Sequence, residues 1–514
     1  MSTPGGAISN GANSSGARIL HSVEPADLLT PVAAFLKLTG TLPGGARNAF
    51  LLESIEGGSA RGRYSVIGLL PDVVWRCAGG AVSVSRAGGA VSSACAGEDF
   101  VADARAPIDS LRALLADSQL DLPAHLPPMT GGVFGYLGYD MVRQMERLPN
   151  PPIDDLDLPE AVLLRPSLFV IFDNVRDELT LAALLRDDAA PGAADAAEAL
   201  LAQARAALSA PLPIEAPLAH AGHATPVPRS NFTRVAFEDS IRRIQEYIAA
   251  GDVFQVVPSQ RFSTDFALPP FALYRALRRI NPSPFLFYLN FDGFSLVGSS
   301  PEVLVRLRDG EVTVRPLAGT RPRGADPEED RRLAVELLAD PKERAEHLML
   351  VDLGRNDVGR VAELGSVRVT ESFVIERFSH VMHISSTVVG RLRPGLDALD
   401  ALVAGFPAGT LTGAPKIRAM QIIDEIEPTR RATYAGCIGY FAADGTMDTC
   451  IGLRMAVVKD GVMHVQAGCG VVADSVPAAE YEETIQKARA LTRAAEAAVR
   501  FAQGEAWSER RHGA

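Results

Sequence analysis

Cysteine is scarce in this chain of 514 residues, and the five cysteines form no recognisable pattern. Cys77, Cys95, Cys437, Cys450 and Cys469 are scattered, without a CxxC motif and without histidines at the spacing of a zinc site. A zinc finger and a disulfide scaffold are therefore excluded. The pattern predicts reduced thiols in a cytoplasmic protein.

Long apolar runs and an excess of positive charge are missing too. No stretch approaches the roughly 18 apolar residues of a membrane helix. The N-terminal residues have neither a basic region nor an apolar core, which predicts a disordered tail over 1–18 and no signal peptide. A net charge of −12 argues against nucleic acid or an anionic membrane as partner. An anionic small molecule stays compatible, because a few converging cations can overcome the overall field.

The order of local patterns predicts an α+β fold with large, mostly antiparallel β-sheets packed together and helices outside. Hairpin signals, such as the Asp-Gly pairs at 292–293, 309–310, 444–445 and 460–461, dominate over βαβ patterns. A Pro-rich connector at 209–229 marks the boundary between two halves. We predict the divisions 1–18 (tail), 19–225, 226–503 and 504–514 (flexible tail).

Charge is concentrated in DPKERAEHLMLVDLGRND, at 340–357. Asp340 followed by Pro341 predicts the start of a helix. The apolar residues of 348–353 predict that this helix is buried, although it carries Glu343, Glu346 and further charged residues. Because a buried charge needs a partner, a hydrogen-bond network or a metal, the segment predicts a functional site.

A second helical segment near the C-terminus places Glu480, Glu483 and Lys487 on one face. Carboxylates from two helices suit Mg²⁺, which prefers oxygen ligands and keeps several waters. A solvated charged helix is the open alternative. The Gly-flanked segments 316–324, 408–416 and 467–470 could hold a carboxylate through backbone N–H groups, or could simply be tight turns. None matches a nucleotide P-loop.

Three polar residues interrupt strand-like apolar runs. Arg454 lies in IGLRMAVV, and an arginine among apolar strand residues needs a partner such as a bound carboxylate. Glu302 in GSSPEVLV and His383 in HVMHISS are candidates for acid–base chemistry. Either could instead be a hydrogen-bonded core residue, which is the more common fate of a single polar group in a strand.

Several motifs together carry a resemblance to a known family. They are FQVVPSQRF (254–262), NPSPFLFY (281–288), SPE (300–302), PLAGTRPRG (316–324), KERAEHLMLVDLGRND (342–357), GTLTGAPK (409–416), YAGCIGY (434–440) and GCGVV with EYEETIQKAR (468–489). With these motifs the sequence resembles the chorismate-utilising enzymes and, within them, the large subunits (component I) of the anthranilate synthases. The resemblance extends from about residue 20 to residue 500 and is most specific in the C-terminal half.

The resemblance implies a Mg²⁺-dependent amination of chorismate followed by loss of pyruvate, the first committed step of tryptophan biosynthesis. It implies Glu346 and Glu483 as Mg²⁺ ligands, Glu302 as the general acid for the leaving ring hydroxyl, and His383 as the group assisting pyruvate loss and aromatisation. Thr410 is carried over as a further catalytic residue. The substrate's two carboxylates would be held by Gly319, Thr320, Tyr434, Arg454, Gly468, Cys469, Gly470 and Lys487. Cys469 replaces the family's usual alanine.

Two positions distinguish subfamilies. Isochorismate- and salicylate-forming relatives place a lysine base where this chain has Gln255. Aminodeoxychorismate synthases carry a lysine where this chain has Ala318, and without an ε-amine a covalent route is closed. The resemblance thus favours anthranilate formation. The alternatives are an aminodeoxychorismate or aminodeoxyisochorismate synthase, or a non-catalytic tryptophan-binding subunit.

The N-terminal half is implied to be regulatory. LLES (51–54) resembles the family's tryptophan-binding segment, with Ser54 contacting the inhibitor and Pro284, Phe285 and Leu286 completing the pocket. The family usually has Tyr-Met in place of Phe285-Leu286. No segment has the Gly-flanked cysteine of a glutaminase, so a separate glutamine amidotransferase subunit is expected to supply ammonia, in a heterotetramer.

Overall fold

The structure is a computed structural model that describes residues 11–12, 18–56, 60–87, 96–185, 192–212, 227–378 and 380–503. Most of the predicted N-terminal tail, the C-terminal tail 504–514 and most of the predicted connector lie outside the described residues. Gly11–Ala12, inside the predicted tail, pair with Arg18 and Ile19 as a short strand.

Strands outnumber helices in the described structure. They are β1 Gly11–Ala12, β2 Arg18–Pro25, β3 Ala49–Glu53, β4 Ile55–Glu56, β5 Ala60–Arg61, β6 Tyr64–Ala78, β7 Ala81–Arg86, β8 Val101–Asp103, β9 Gly132–Leu137, β10 Ala161–Asp173, β11 Glu178–Leu185, β12 Arg229–Ser230, β13 Gln255–Val256, β14 Ser259–Asp265, β15 Phe285–Phe291, β16 Phe294–Ser300, β17 Val303–Arg308, β18 Glu311–Val314, β19 Leu317–Pro322, β20 Arg368–Arg377, β21 Val381–Arg391, β22 Gly413–Ala414, β23 Cys437–Ala442, β24 Met447–Ile451, β25 Met455–Lys459 and β26 Val462–Gly468.

The helices are α1 Pro31–Thr41, α2 Pro107–Asp117, α3 Ala193–Ser209, α4 Arg234–Ala249, α5 Pro270–Ile280, α6 Pro327–Ala339, α7 Pro341–Gly359, α8 Ala398–Gly405, α9 Lys416–Ile426 and α10 Pro477–Ala502. Short 3₁₀ helices cover Tyr139–Gln144 and Gly409–Leu411. Of the helices in the described ranges, none combines the length and apolar character that a membrane span requires.

Twenty-two of the described strands join in one hydrogen-bonded network whose pairs are antiparallel. Strands from both predicted halves pair directly, β3 with β15 and β9 with β23. Helices α1, α3, α5 and α10 cover one side and pack their apolar faces on a shared core. The prediction of an α+β fold with antiparallel sheets and outer helices is confirmed, while the division at residue 225 stays a prediction.

Helix α7 differs from its prediction. Its apolar residues are consecutive, so a turn of 3.6 residues distributes them around the axis and turns some of them to solvent. Leu350 and Val351 are buried, but Leu348 is 52% exposed. Asp352 and Arg355 form an exposed ion pair of 3.0 Å on the outer face. The prediction of a wholly buried helix was wrong, and only one face of α7 meets the core.

One other local prediction also needs correction. The strand-like run IGLRMAVV (451–458) is divided between the end of β24 and the start of β25. Arg454 lies at this break with φ of +51°, and therefore not within a strand as predicted.

Candidate active site

A cavity of about 690 Å³ opens between α7, α10 and the strand ends around them. Most residues predicted for catalysis, metal binding and substrate binding line this cavity: Glu302, Gly319, Thr320, Glu346, His383, Thr410, Tyr434, Arg454, Gly468, Gly470, Glu483 and Lys487. They come from sequence positions more than 180 residues apart, so the fold gathers them at one place. The volume of the cavity suits a small organic molecule.

Glu346 enters the cavity from α7. The carboxylate of Asp340 accepts hydrogen bonds from the N–H groups of Lys342 (2.9 Å) and Glu343 (3.3 Å), which caps the helix start. One turn later, Glu346 Oε1 accepts from Gln255 Nε2 at 2.9 Å. Burial raises the pKa of Glu346, and the nearby charges of Glu343 and Glu483 raise it further. A cation beside Glu346 would offset this repulsion.

Glu483 and Glu480 reach the cavity from α10. Glu483 forms an ion pair of 2.7 Å with Lys487 one turn further on. Glu480 Oε2 is buried without a hydrogen-bond partner in the described part of the chain. Burial raises the pKa of Glu480, and the charge of Glu483 adds to that effect.

Within the described ranges, no three His, Cys, Asp or Glu side chains lie close enough to chelate a metal unaided. The donors that do converge, Glu346 and Glu483, are oxygen donors, and Glu480, whose Oε2 lacks a hydrogen-bond partner among the described residues, lines the same cavity. This arrangement fits Mg²⁺, which binds through one or two carboxylates and keeps water or substrate oxygens as its other ligands.

At the start of α7, Glu343 is held by an arginine. Arg321 donates to it at 3.1 Å and to Asp340 at 2.9 Å. These ion pairs tie β19 to the start of α7. Glu343 therefore supports the cavity wall.

Two cations line the same cavity as the carboxylates. Arg454 donates to the backbone oxygen of Lys487 at 2.8 Å, and it forms no salt bridge with any described residue. Burial lowers the pKa of Arg454. Lys487 Nζ donates to the carbonyl oxygen of Gly468 at 2.9 Å. A half-buried arginine that forms no salt bridge is a ready partner for an anionic ligand.

Glu302 lies between β16 and β17 and is 6% exposed. Burial raises its pKa to about 8, against the weaker effect of the Leu317 N–H, which donates to Oε1 at 3.4 Å. The hydroxyl group of Thr410 lies beside it, but Thr410 Oγ1 makes no hydrogen bond of ordinary length with the described residues. Glu302 is thus protonated at neutral pH and can donate a proton.

His383 lies on β21, and burial lowers its pKa to about 4, which keeps the ring neutral. Its Nδ1 lies 2.9 Å from the carbonyl oxygen of Gly319 and 3.1 Å from Thr320 Oγ1. A carbonyl oxygen only accepts, so Nδ1 carries the proton and Nε2 is left with a free lone pair. With this free lone pair, His383 can act as a base. The neighbouring Gly319 has φ of +69°, and a Cβ there would meet the Glu343 carboxylate at 3.0 Å.

Cys469 differs from its neighbours Gly468 and Gly470 in the predicted substrate-binding set. Its side chain is fully buried in a core with Phe237 and Ile423, outside the cavity lining. Its N–H donates to the carbonyl oxygen of Pro258 at 3.1 Å. A direct contact of Cys469 with substrate is therefore corrected to a structural position behind the cavity wall.

Arg431 organises several lining residues although it lies outside the cavity. It is 2% exposed, pairs with Glu427 at 2.6 Å, and donates to the carbonyl oxygens of Leu411 and Val257 at 2.6 Å each. Its guanidinium lies 5.6 Å from the ring centre of Tyr434. Sequence reasoning missed this residue, since nothing in EPTRRATYAG distinguishes a buried arginine from an exposed one.

Gln466 was also missed. It lines the cavity from β26, donates to Ser259 Oγ at 2.8 Å, and has an Oε1 without a hydrogen-bond partner among the described residues. A glutamine that interrupts the apolar alternation of VMHVQAG was the available signal.

The four residues predicted to bind the inhibitor lie together, away from the large cavity. Leu286 on β15 pairs with Glu53 on β3, which puts Ser54 next to Phe285 and Pro284 at the ends of the two strands. Glu53 is held by Tyr274 Oη at 2.5 Å and by Arg278 at 2.6 Å and 2.8 Å. The structure thus brings these residues together on a rigid strand pair.

The sequence of this chain is similar to those of known proteins. Residues 74–493 match the family model described as chorismate binding enzyme. The chain is 53% identical to the anthranilate synthase component 1 of Cereibacter sphaeroides, over 95% of this chain and 96% of that protein. It is 48% identical to the Thermus thermophilus protein of the same name, over 92% of this chain and 96% of that one.

Solved structures agree with these matches. The anthranilate synthase component I of Streptococcus pneumoniae has a TM-score of 0.75 at 35% identity and covers 91% of this chain and 99% of its own. The menaquinone-specific isochorismate synthase of Escherichia coli has a TM-score of 0.69 at 21% identity, covering 94% and 95%. The second similarity concerns the fold alone.

Proposed function

The chain belongs to the chorismate-binding enzymes and is by homology an anthranilate synthase component 1, and we propose that it converts chorismate and ammonia into anthranilate, pyruvate and water. The observation that carries this proposal is the cavity's combination of a protonated carboxylic acid, Glu302, with an unpaired arginine, Arg454. Such a site accepts an anion and protonates a leaving hydroxyl group in the same place.

Arg454 and Lys487 hold the substrate's carboxylates, with the help of Thr320 and Tyr434 and the backbone at Gly319, Gly468 and Gly470. An overall charge of −12 does not oppose this binding, because these groups lie inside the cavity, where solvent screening is weak. Cys469 contributes only by filling the space behind this wall.

Glu346 and Glu483 would hold Mg²⁺, which supplies an electrostatic grip on the ring carboxylate of chorismate. The oxygen-only donors, the mutual repulsion that raises the pKa of Glu346, and the unpartnered Glu480 support this assignment. Gln255 keeps the Glu346 carboxylate in position through its 2.9 Å hydrogen bond.

Glu302 donates its proton to the ring hydroxyl, which leaves as water while the carbon–nitrogen bond forms. The added nitrogen then loses a proton, which restores the carboxylic acid. His383 Nε2 takes the ring proton while the carbon–oxygen bond between the ring and the enolpyruvyl group breaks, and the ring becomes aromatic. The departing enolpyruvate takes up that proton and becomes pyruvate, which leaves His383 neutral again. The Thr410 hydroxyl group lies beside the carboxyl group of Glu302.

The subfamily assignment is supported by two side chains that line the cavity. Gln255 offers no lysine base to activate water, and its amide is engaged by Glu346. Ala318 offers no amine for a covalent intermediate. Ammonia addition and pyruvate elimination are therefore the route we assign to this chain.

We assign three further properties on the same homology. A separate glutamine amidotransferase subunit supplies ammonia in a heterotetramer. Tryptophan binds at Ser54, Pro284, Phe285 and Leu286 and inhibits the enzyme. The complex works in the cytoplasm.

The test is to incubate the purified chain with chorismate, ammonium chloride and MgCl₂ and to follow anthranilate fluorescence. We expect fluorescence that depends on all three components. A non-fluorescent aminated product would instead indicate an aminodeoxychorismate or aminodeoxyisochorismate synthase. The absence of any product, together with tryptophan binding, would indicate a regulatory subunit.

A further inference from the structure

An exposed phenylalanine lies on the outer side of the cavity wall that contacts Glu346. Phe254 is 71% exposed, although it directly precedes the buried Gln255. The N–H of Phe254 donates to the carbonyl oxygen of Ala414 at 2.7 Å, so its backbone is fixed while its ring lies in solvent. Because single exposed apolar side chains are common on protein surfaces, the neighbours of Phe254 decide whether it marks an interface.

Two further exposed apolar side chains lie near Phe254. Ile417, 37% exposed, is in the first turn of α9, three residues after Ala414. Val476, 60% exposed, directly precedes α10. We call Phe254, Ile417 and Val476 the apolar patch.

Backbone pairing connects Val476 to the rest of the apolar patch. Val256 and Val471 form an antiparallel bridge with N–H to O distances of 3.2 Å and 2.8 Å. Two residues outward on either side of this bridge, Phe254 and Ala473 are both exposed. The segment that ends at Val476 therefore runs past Phe254.

The wall behind the apolar patch is one layer of backbone thick. Gln255 lines the large cavity and donates to Glu346 at 2.9 Å, whereas the adjacent Phe254 is exposed. Val472 likewise lines the cavity, and the adjacent Ala473 is exposed. This alternation is typical of extended backbone, whose successive side chains point to opposite sides. The apolar patch is thus separated from the Gln255 side of the cavity by a single pair of strands.

The large cavity also opens to solvent beside the apolar patch. Lys342 lines the cavity, is exposed, and pairs at 3.2 Å with the exposed Asp474, two residues before Val476. Near Phe254, Arg418 pairs with Asp252 at 2.7 Å. Apolar side chains flanked by charged ones are typical of protein–protein interfaces, which combine an apolar centre with a polar rim.

The proposed reaction needs ammonia on this side of the cavity. Anthranilate carries its amino group on the ring carbon next to the carbon that bears the carboxylate. The proposed function places that carboxylate at Glu346, so the nitrogen has to arrive near Gln255, the hydrogen-bond partner of Glu346. Ammonia that escapes into water takes up a proton and loses the lone pair with which it attacks. A subunit that supplies ammonia therefore has to bind where its product enters directly.

We propose that the apolar patch and its rim of ion pairs form the docking surface for the glutamine amidotransferase subunit. The docked subunit covers the opening at Lys342 and releases ammonia into the cavity beside Gln255. Phe254 is the central contact, because aromatic side chains dominate the binding energy of interfaces. This inference rests on the proposed amination of chorismate and adds the place where the ammonia-supplying partner binds.

The experiment compares two sources of nitrogen. Anthranilate fluorescence is measured with chorismate and MgCl₂, first with ammonium chloride and the chain alone, then with glutamine and the purified amidotransferase subunit of the same organism. Phe254→Asp puts a charge at the centre of the interface, so at limiting amidotransferase the glutamine-dependent rate should fall at least about tenfold. The ammonium-dependent rate should stay within about twofold, because the substitution is on the surface outside the cavity.

Val175→Asp is the matched control. Val175 is 73% exposed on the turn between β10 and β11, so this variant should change neither rate. Val476→Asp guards against misfolding of Phe254→Asp, and it should reproduce the selective loss of the glutamine-dependent rate.

Three results would contradict the proposal in different ways. If the wild type uses both nitrogen sources and neither Phe254→Asp nor Val476→Asp lowers the glutamine-dependent rate selectively, the docking surface is rejected. If size-exclusion chromatography shows that Phe254→Asp disrupts a complex between copies of this chain while the glutamine-dependent rate is unchanged, the apolar patch serves self-association instead. If the wild type makes no anthranilate from ammonium, the proposed function itself fails.

Discussion

Glu302 sets the pH dependence that we expect of the reaction. Burial raises its pKa from 4.5 to about 8, which corresponds to roughly 5 kcal/mol against ionisation in the folded protein. At pH 7 on the order of nine in ten molecules therefore carry the protonated carboxyl group. As pH rises above about 8, the acid is lost and kcat/KM for chorismate should fall about tenfold per pH unit.

The assay is anthranilate fluorescence from pH 6 to 10 with saturating MgCl₂. Ammonium also loses its proton in this range, so rates are expressed per concentration of unprotonated ammonia. Glu302→Gln keeps the shape of the side chain but cannot transfer a proton, and it should lower kcat by about 10²- to 10⁴-fold. A wild-type rate in Glu302→Gln, or a break near pH 8 that persists in it, would refute the role of Glu302.

Unfolding gives a second readout of the same carboxyl group. The pKa of Glu302 is higher in the folded protein than in the unfolded chain. The contribution of its carboxyl group to the free energy of unfolding is therefore complete below pH 4.5 and is lost as pH rises to about 8. In urea titrations the wild type should lose about 1.4 kcal/mol per pH unit over this window relative to Glu302→Gln. Equal pH dependence in both proteins would show that the group ionises normally.

Three further predictions concern the metal, the substrate and the inhibitor. Glu346→Gln should shift the Mg²⁺ activation curve to concentrations at least about tenfold higher; an unchanged curve would exclude Glu346 as a ligand. Arg454→Met should raise the KM for chorismate about tenfold or more. The same variant should melt no lower than the wild type, because it removes a partly desolvated cation that forms no salt bridge. Ser54→Phe should abolish tryptophan inhibition while anthranilate formation without tryptophan is unchanged, and persistent inhibition would reject that pocket.

The fold class followed from the sequence because hairpin turns are local signals. Asp309-Gly310 and Asp460-Gly461 connect antiparallel neighbours as predicted, with Asp309 and Asp460 at positive φ. The break at Arg454 was not predictable, since IGLRMAVV alternates like one continuous strand. The left-handed backbone of Arg454 is imposed by tertiary packing, which leaves no local signature.

The sequence predicted individual residues of the candidate site but not the contacts between them. The polar interruptions Glu302, His383 and Arg454 pointed to it, and the resemblance added their roles. Whether a side chain is paired could not be predicted: Glu343 is held by Arg321, whereas Arg454 has no counter-ion among the described residues. Such partners come from strands and helices distant in sequence.

Helix α7 shows why charge alone does not identify function. From the sequence, the acids Glu343, Glu346, Asp352 and Asp357 all look equally buried. The helical period, however, places them on different faces of α7. Asp352 turns to solvent with Arg355, while Glu346 and Asp357 share the face that lines the large cavity and a smaller one next to it. Each is desolvated and partly satisfied, by Gln255 and by Lys416 respectively, which leaves carboxylate oxygens for other donors. A single helical face thus carries two carboxylates that line two adjoining cavities, with Glu302 where the cavities meet.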